Sequence, residues 1–240
     1  MQFRSIFITG TDTGVGKTTI ACGIAAALVR RGWRVGVLKP AETGCHVGSD
    51  GQLQPEDALR LKHFARCRLD VEAICPHRLR APLAPLVAAQ QEGRHIDVDE
   101  LVRTHADTAA THDITLIEGA GGLLVPLAPG VTFADLAGRL KVPVLVVVGS
   151  RLGAINHALL TIRHAECLGL HVLGYVVNFL SPDPDVAAAS NVAVLADWLG
   201  PPLGIVPHLG GIEMTEAERG RLADVFTQQL RLDGLLLACT

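Results

Sequence analysis

The stretch Gly10-Thr11-Asp12-Thr13-Gly14-Val15-Gly16-Lys17-Thr18-Thr19 constrains this chain more than any other. It follows an apolar run at residues 6–9 and leads into Ile20, Ala21, Ile24, Ala25 and Leu28, which recur at helical spacing until Gly32 offers a stop. A strand, a glycine turn and an amphipathic helix in that order form a cradle for an anion. Gly14 and Gly16 let the backbone approach closely, the successive N–H groups from Gly14 through Val15 and Gly16 into the helix N-terminus face the anion, and Lys17 reaches the β and γ phosphates of a nucleotide. Thr18 is placed to ligate magnesium, with Thr19 beside it. A tight turn carrying an ordinary surface lysine is the plain alternative, and both flanks argue against it. A strict G-x-x-x-x-G-K-T would put glycine at Thr11, so the stretch predicts a variant P-loop that binds a nucleoside triphosphate.

Further along, short runs rich in valine, isoleucine and leucine at residues 35–38, 114–117, 142–148 and 172–177, with a weaker one at 203–206, alternate with helical patterns. Strands buried on two faces lose their polar alternation, so the pattern predicts an α/β fold of P-loop NTPase type: a mainly parallel, doubly wound sheet with helices on both faces. Helices are expected near 55–64, 98–110, 133–140, 155–168, 185–199 and 215–230. Residues 41–54 and 76–85 are glycine- or proline-punctuated and predict irregular crossings within one domain spanning 1–240.

Composition narrows the partners. With 49% hydrophobic residues the chain can bury a large core, and a net charge of −3 offers no basic surplus for nucleic acid or anionic lipid. Two tryptophans and one tyrosine are too few for a base-stacking surface. Cys22, Cys45, Cys67, Cys75, Cys167 and Cys239 are scattered without a C-x-x-C pair and read as reduced thiols. The opening M-Q-F-R-S-I-F-I-T-G is too short in apolar residues for a signal region or a membrane span, which points to the cytosol. No histidine shows metal-ligand spacing.

A second phosphate-site element is H-D-I-T-L-I-E-G-A-G-G. Glu118 emerges there at a strand's carboxyl end with Gly119, Ala120 and Gly121 directly behind it. Ligands of doubly wound sheets gather at those ends, and a carboxylate beside a P-loop can hold magnesium directly or through water. A strand-terminal glutamate paired with a lysine is the competing description.

The strings G-T-D-T-G-V-G-K-T, L-K-P-A-E-T-G, E-D-A-L, I-E-G-A-G-G and G-A-I-N-H-A occur in this order and span most of the chain. Together they resemble the dethiobiotin synthase family. The resemblance implies a homodimeric α/β enzyme that closes a cyclic urea on 7,8-diaminopelargonic acid with carbon dioxide and magnesium ATP. In that chemistry two anions meet during phosphoryl transfer, so fixed positive charge matters more than a protein nucleophile. Lys17 and Lys39 suit the catalytic role, and Pro40 aims Lys39 over the sheet edge; taken bare, Lys39 is a strand-end solvating lysine.

By the same resemblance Thr43 contacts substrate, although its hydroxyl equally suits a turn. Asp57 joins Thr18 and Glu118 as an oxygen-only magnesium set; bare, it is a first-turn helix acid. Gly153-Ala154-Ile155-Asn156 would hold the substrate carboxylate from the partner subunit, or form a capping turn with Asn156 as cap. Asn178 matches the family's adenine-reading asparagine, while a loop-bridging amide is its structural description. Pro207-His208-Leu209 would lie along the base.

Two positions depart from the family pattern. Some relatives carry an acidic residue at Gly14, and relatives often have histidine at Leu86; neither is needed for phosphoryl transfer, and they bear on nucleotide affinity and the diamine pocket. A rival with a similar loop is the ATP-driven dimerisation switch of the chromosome-partitioning type. Such switches carry an early lysine in the loop, whereas here none precedes Lys17 in it and no terminal basic helix appears.

Overall fold

The computed structural model describes residues 5–237, so Cys239 lies outside the described residues. Strands in chain order are β1 (Ser5–Gly10), β2 (Val35–Leu38), β3 (Ala41–Thr43), β4 (His46–Val47), β5 (Leu53–Gln54), β6 (His77–Leu79), β7 (Ile114–Gly122), β8 (Pro126–Ala128), β9 (Val131–Thr132), β10 (Val144–Ser150), β11 (Val172–Phe179) and β12 (Gly204–Val206). Helices are α1 (Lys17–Arg30), α2 (Glu56–Phe64), α3 (Val71–Ile74), α4 (Pro85–Gln91), α5 (Val98–Thr111), α6 (Phe133–Leu140), α7 (Ala154–Cys167), α8 (Val186–Leu199), α9 (Glu216–Gln229) and α10 (Leu232–Leu237).

The main sheet runs β12-β11-β10-β1-β7-β2, and every neighbouring pair is parallel. Alternation along its strands feeds two cores. Ile6, Ile8, Leu145 and Val147 face α1, α2 and α9, whereas Phe7, Val144, Val146 and Val148 face α5, α6, α7 and α8. This is the doubly wound arrangement expected from apolar runs buried on both sides.

Three expectations need correction. The helix after the glycine loop is buried almost all round from Ile20 to Leu28, not amphipathic. Its inner face meets the sheet while α2 and α9 cover the rest, and a Cβ on Gly23 would overlap the Phe226 ring of α9. Residues 41–54 and 76–85 are not wholly irregular: β3 pairs in parallel with β6, and β4 pairs with β5. These pairings are two or three residues long, too short for a period to show. Finally, β7 continues beyond residue 117 to Gly122, with a register shift against β1 and Gly10 opposite Gly122. Gly121, at φ 68°, allows that turn of the backbone.

Candidate active site

The glycine loop takes the shape its composition demands. Gly14 and Gly16 sit at φ 74° and 90°, in the left-handed region that a side chain disfavours. Val15 between them is buried. Lys17 opens α1 directly after the loop and is itself buried, its Nζ donating to the Asp12 carbonyl at 3.2 Å. Burial lowers its pKa, and Glu118 works against that shift. An exposed ion pair between Arg151 and Asp12 ties the loop to the end of β10.

Lys39 directly follows β2, while Glu118, expected at a strand's end, lies inside β7, one residue past the last register pair of β7 with β2, because β7 runs on to Gly122 along β1. Lys39 Nζ lies 2.6 Å from Glu118 Oε1 and 2.7 Å from Asp57 Oδ2, and Thr18 Oγ1 donates to the same Glu118 Oε1 at 2.8 Å. Lys39 and Glu118 are almost wholly shielded, at 2% and 1% exposure. Burial opposes the Lys39 charge, but Glu118 and Asp57 outweigh it and hold the ammonium protonated well above its ordinary range. Burial pushes Glu118 up against the pull of Lys39; burial pushes Asp57 the same way, yet there Lys39 prevails and the pKa falls.

Glu42 joins the group from β3. Its Oε1 accepts from the Asp57 N–H at 2.9 Å and its Oε2 from the Ala58 N–H at 3.0 Å. Its side chain is buried, and burial, partly countered by Lys39, raises its pKa to about 7.

A cleft of about 480 Å³ collects these groups. Gly14, Gly16, Lys17, Thr18, Thr19, Lys39, Thr43, Asp57, Glu118, Ala120 and Gly121 all line it. Eleven of the residues singled out from sequence thus share one cavity. Val15 and Gly119 stand behind its wall: the Val15 carbonyl accepts from Asn178 Nδ2 at 3.0 Å, and Gly119 packs over Phe7. Asn178 is therefore a bridge to the loop, and a Cβ on Gly16 would collide with its amide.

Pro207, His208 and Leu209 follow β12 and do not line the cleft; Leu209 packs against the first core. Gly153, Ala154, Ile155 and Asn156 are also outside it. There the cap is Gly153, at φ 89°, and not Asn156, which lies exposed as the third residue of α7, within its first turn. Glycine reaches that left-handed conformation without strain, which leaves Asn156 no capping position to fill. Leu86 sits in the first turn of α4, away from the cleft.

Sequence reasoning missed Glu42, Arg60 and Ile212 on the cleft wall. Arg60 Nη1 donates to the Ile212 carbonyl at 2.6 Å, joining α2 to the segment after β12. Arg60 stands three residues beyond Asp57, on the same helical face, a spacing that could have flagged it. Glu42 had a signal too, being inside L-K-P-A-E-T-G.

Among the described residues no three His, Cys, Asp or Glu side chains converge to hold a metal by themselves. The oxygens of Thr18, Asp57 and Glu118 nevertheless adjoin, and the buried Glu118 Oε2 has no hydrogen-bond partner. An unpartnered buried oxygen in an oxygen-rich corner fits a hard divalent cation that also takes ligands from a nucleotide and water.

Known proteins agree with this architecture. The family model described as AAA domain matches residues 4–216. The MinD cell division ATPase of Pyrococcus furiosus superposes with TM-score 0.56 over 98% of each chain at 18% identity, and a ParA family ATPase from Chlorobium tepidum with TM-score 0.54 over 97% of this chain and 92% of its own at 13%. Those likenesses concern the fold alone. Sequence relatives are far nearer. ATP-dependent dethiobiotin synthetase BioD of Anaeromyxobacter sp. (strain K) is 44% identical over 80% of this chain and 84% of its own. The Cellvibrio japonicus protein of the same name is 43% identical over 87% and 91%, and that of Thermodesulfovibrio yellowstonii 35% over 96% and 97%. Nearly full-length identity at this level, joined to a P-loop whose threonine shares a glutamate with the lysine of L-K-P-A-E-T-G, establishes that the chain belongs to the ATP-dependent dethiobiotin synthetase family.

Proposed function

We propose that this enzyme is an ATP-dependent cyclo-ligase that joins carbon dioxide to 7,8-diaminopelargonic acid, giving dethiobiotin, ADP and phosphate. One amine adds to carbon dioxide and loses a proton, leaving a carbamate. A carbamate oxygen attacks the γ phosphorus and ADP departs; the second amine then attacks the carbonyl carbon and expels phosphate. The observation that carries this reading is the shared Glu118 oxygen, which brings Lys39 and the P-loop threonine to one point. A carbamate and a triphosphate repel each other, and a buried ammonium kept protonated by two carboxylates supplies positive charge without reorganising. Lys17 supplies a second cation from the loop, and Thr43 offers its hydroxyl to the carbamate end of the diamine.

Thr18, Asp57 and Glu118 would hold magnesium with triphosphate oxygens. When bound, the ion offsets charge on the phosphates as they transfer. The backbone of Gly14–Thr19 and of residues 119–121 would cradle the phosphates. Asn178, whose amide nitrogen is committed to Val15, leaves its carbonyl oxygen as the acceptor suited to an adenine amino group, with 207–209 beside the base.

The residues at 153–156 enter this scheme through a second copy of the chain. Leu152, Leu160 and Leu124 are 82%, 61% and 51% exposed, and Leu160 and Leu124 line a mainly apolar recess of about 570 Å³ together with Thr11, Asp12 and Thr13. Apolar exposure beside the P-loop supports a homodimer in which the Gly153–Asn156 turn of one subunit receives the carboxylate of a diamine reacting at the other's Lys39. No helix among the described residues is long and apolar enough to cross a membrane. We read the enzyme as cytoplasmic.

Turnover is tested by supplying the protein with ATP, magnesium, bicarbonate and the diamine. Phosphate release that depends on the diamine and matches dethiobiotin formed is the expected result, whereas release stimulated by DNA or lipid would indicate a dimerisation switch. For the shared site, Lys39→Ala and Gly153→Trp homodimers should each be inactive, and subunit exchange between them should restore activity in the heterodimer that keeps one intact site. Exchange without restored activity would place the whole site in one subunit.

A further inference from the structure

Glu42 has no role in the chemistry above, yet it is the buried carboxylate that joins the two segments on which that chemistry depends. It stands on β3 between Lys39 and Thr43 on one side and α2 on the other. Both of its oxygens are spent on backbone: Oε1 on the Asp57 N–H at 2.9 Å and Oε2 on the Ala58 N–H at 3.0 Å. Those N–H groups belong to the first turn of α2, where intrahelical partners are lacking. Pro55, at the helix N-cap, makes no side-chain cap hydrogen bond. The side chain that fills this position therefore comes from 15 and 16 residues upstream in the chain.

We infer that Glu42 is a positioning residue that holds Asp57 in register with Lys39 and Glu118, and thereby sets how tightly the site binds its divalent cation. The inference rests on the magnesium reading given above. Asp57 reaches Lys39 Nζ at 2.7 Å from the second residue of a helix. A helix start that shifts by an ångström moves the carboxylate out of that contact. The main-chain grip on Asp57 from the strand that follows Lys39 keeps the lysine and the aspartate in one frame. β3 is itself held by its pairing with β6, Glu42 lying opposite Arg78 in that register. Glu42 would thus act on the ion without touching it, as groups behind metal ligands commonly do.

The test compares Glu42→Gln, Glu42→Ala, Asp57→Asn and the Glu42→Gln/Asp57→Asn double variant with the parent protein. Mn2+ binding in the presence of ADP is followed by electron paramagnetic resonance, alongside half-saturating magnesium and the KM for the diamine. Glutamine keeps the size of the side chain but turns an N–H donor toward one of the two backbone N–H groups. Mn2+ affinity in Glu42→Gln is expected to fall by about 10-fold, with a matching rise in half-saturating magnesium and the diamine KM within about twofold of the parent. Glu42→Ala should do more. The double variant should bind Mn2+ no more weakly than Asp57→Asn alone, because one residue acts through the other. Parent-like Mn2+ affinity in Glu42→Gln overturns the inference, and so does an additive loss in the double variant. Parent-like affinity in Asp57→Asn overturns the magnesium reading itself, and any route through Asp57 with it.

Discussion

The parallel pairing of β2 with β7 carries an ion pair at each end. Ahead of its first register pair, Arg34 Nη2 meets Asp113 Oδ1 at 2.6 Å; past its last, Leu38 with Ile117, Lys39 Nζ meets Glu118 Oε1 at 2.6 Å. The distances are the same, but the side chains at the first pair are 70% and 37% exposed and those at the second 3% and 1%. At the amino end water screens the charges, so the Arg34–Asp113 contact acts mainly as a staple that also takes in the Arg34 N–H at 2.8 Å. At the carboxyl end water is excluded, and each charge depends on its partner to stay ionised. That dependence is what a phosphoryl-transfer site requires: charge already fixed in place, in a corner that offers little other solvation. Carboxyl ends of parallel strands lead into helix N-termini and glycine turns, so the end that buries its ion pair is also the end that can receive an anion.

The largest effect should come from Lys39→Ala. It leaves Glu118 buried without its counter-charge, a change that costs about 3–5 kcal/mol where no other cation steps in. Turnover should fall by at least about 10²-fold, as when one preorganised donor is lost. Thermal stability should drop as well, and magnesium ADP should restore much of it by supplying positive charge to Glu118. Near-parent turnover at saturating substrates would remove Lys39 from the catalytic centre and erase the contrast between the two ends.

Asp57→Asn should do less. Lys39 keeps Glu118, and the half-saturating magnesium concentration should rise about 10-fold with modest change in folding temperature. An unchanged magnesium titration would show that the pairing at the carboxyl end serves structure alone, as it does at the other.

Asp113→Asn should be the mildest, with turnover unaltered. Hydrogen bonds from Arg34 hold the Asp113 pKa at about 2, below its ordinary value of 3.8. Because the folded pKa is the lower one, the contribution to stability is present above about pH 4 and is lost as pH falls through about 2. The parent and the variant should therefore differ most in folding temperature near neutral pH and converge in strong acid. A gap that widens on acidification would contradict the pairing.

Much of the molecule is legible in its sequence because the signals are local. The runs at 35–38 and 133–140 match β2 and α6 to the residue, and the glycine loop follows from Gly14, Gly16 and the lysine behind them. Residues 142–148 gave the right strand two residues early, since Val142 and Pro143 are apolar but precede the pairing. The short strands β3 and β6 escaped because two isolated triplets have no period; they form by finding each other.

What the sequence by itself determined, then, is a phosphate loop on a doubly wound sheet and the inventory of side chains from which a site can be built. Periodicity and glycine placement encode these things, since both act over a few neighbouring residues. Only the tertiary structure decided which of those side chains meet. Thr18 and Glu118 are 100 residues apart in the chain, Lys39 and Glu118 are 79, and it is the strand order β1-β7-β2 that sets them side by side. Glu42 shows the same limit most plainly. Its residue type and motif were visible, but its use was not, because a carboxylate becomes a helix cap only when folding brings an uncapped helix to it.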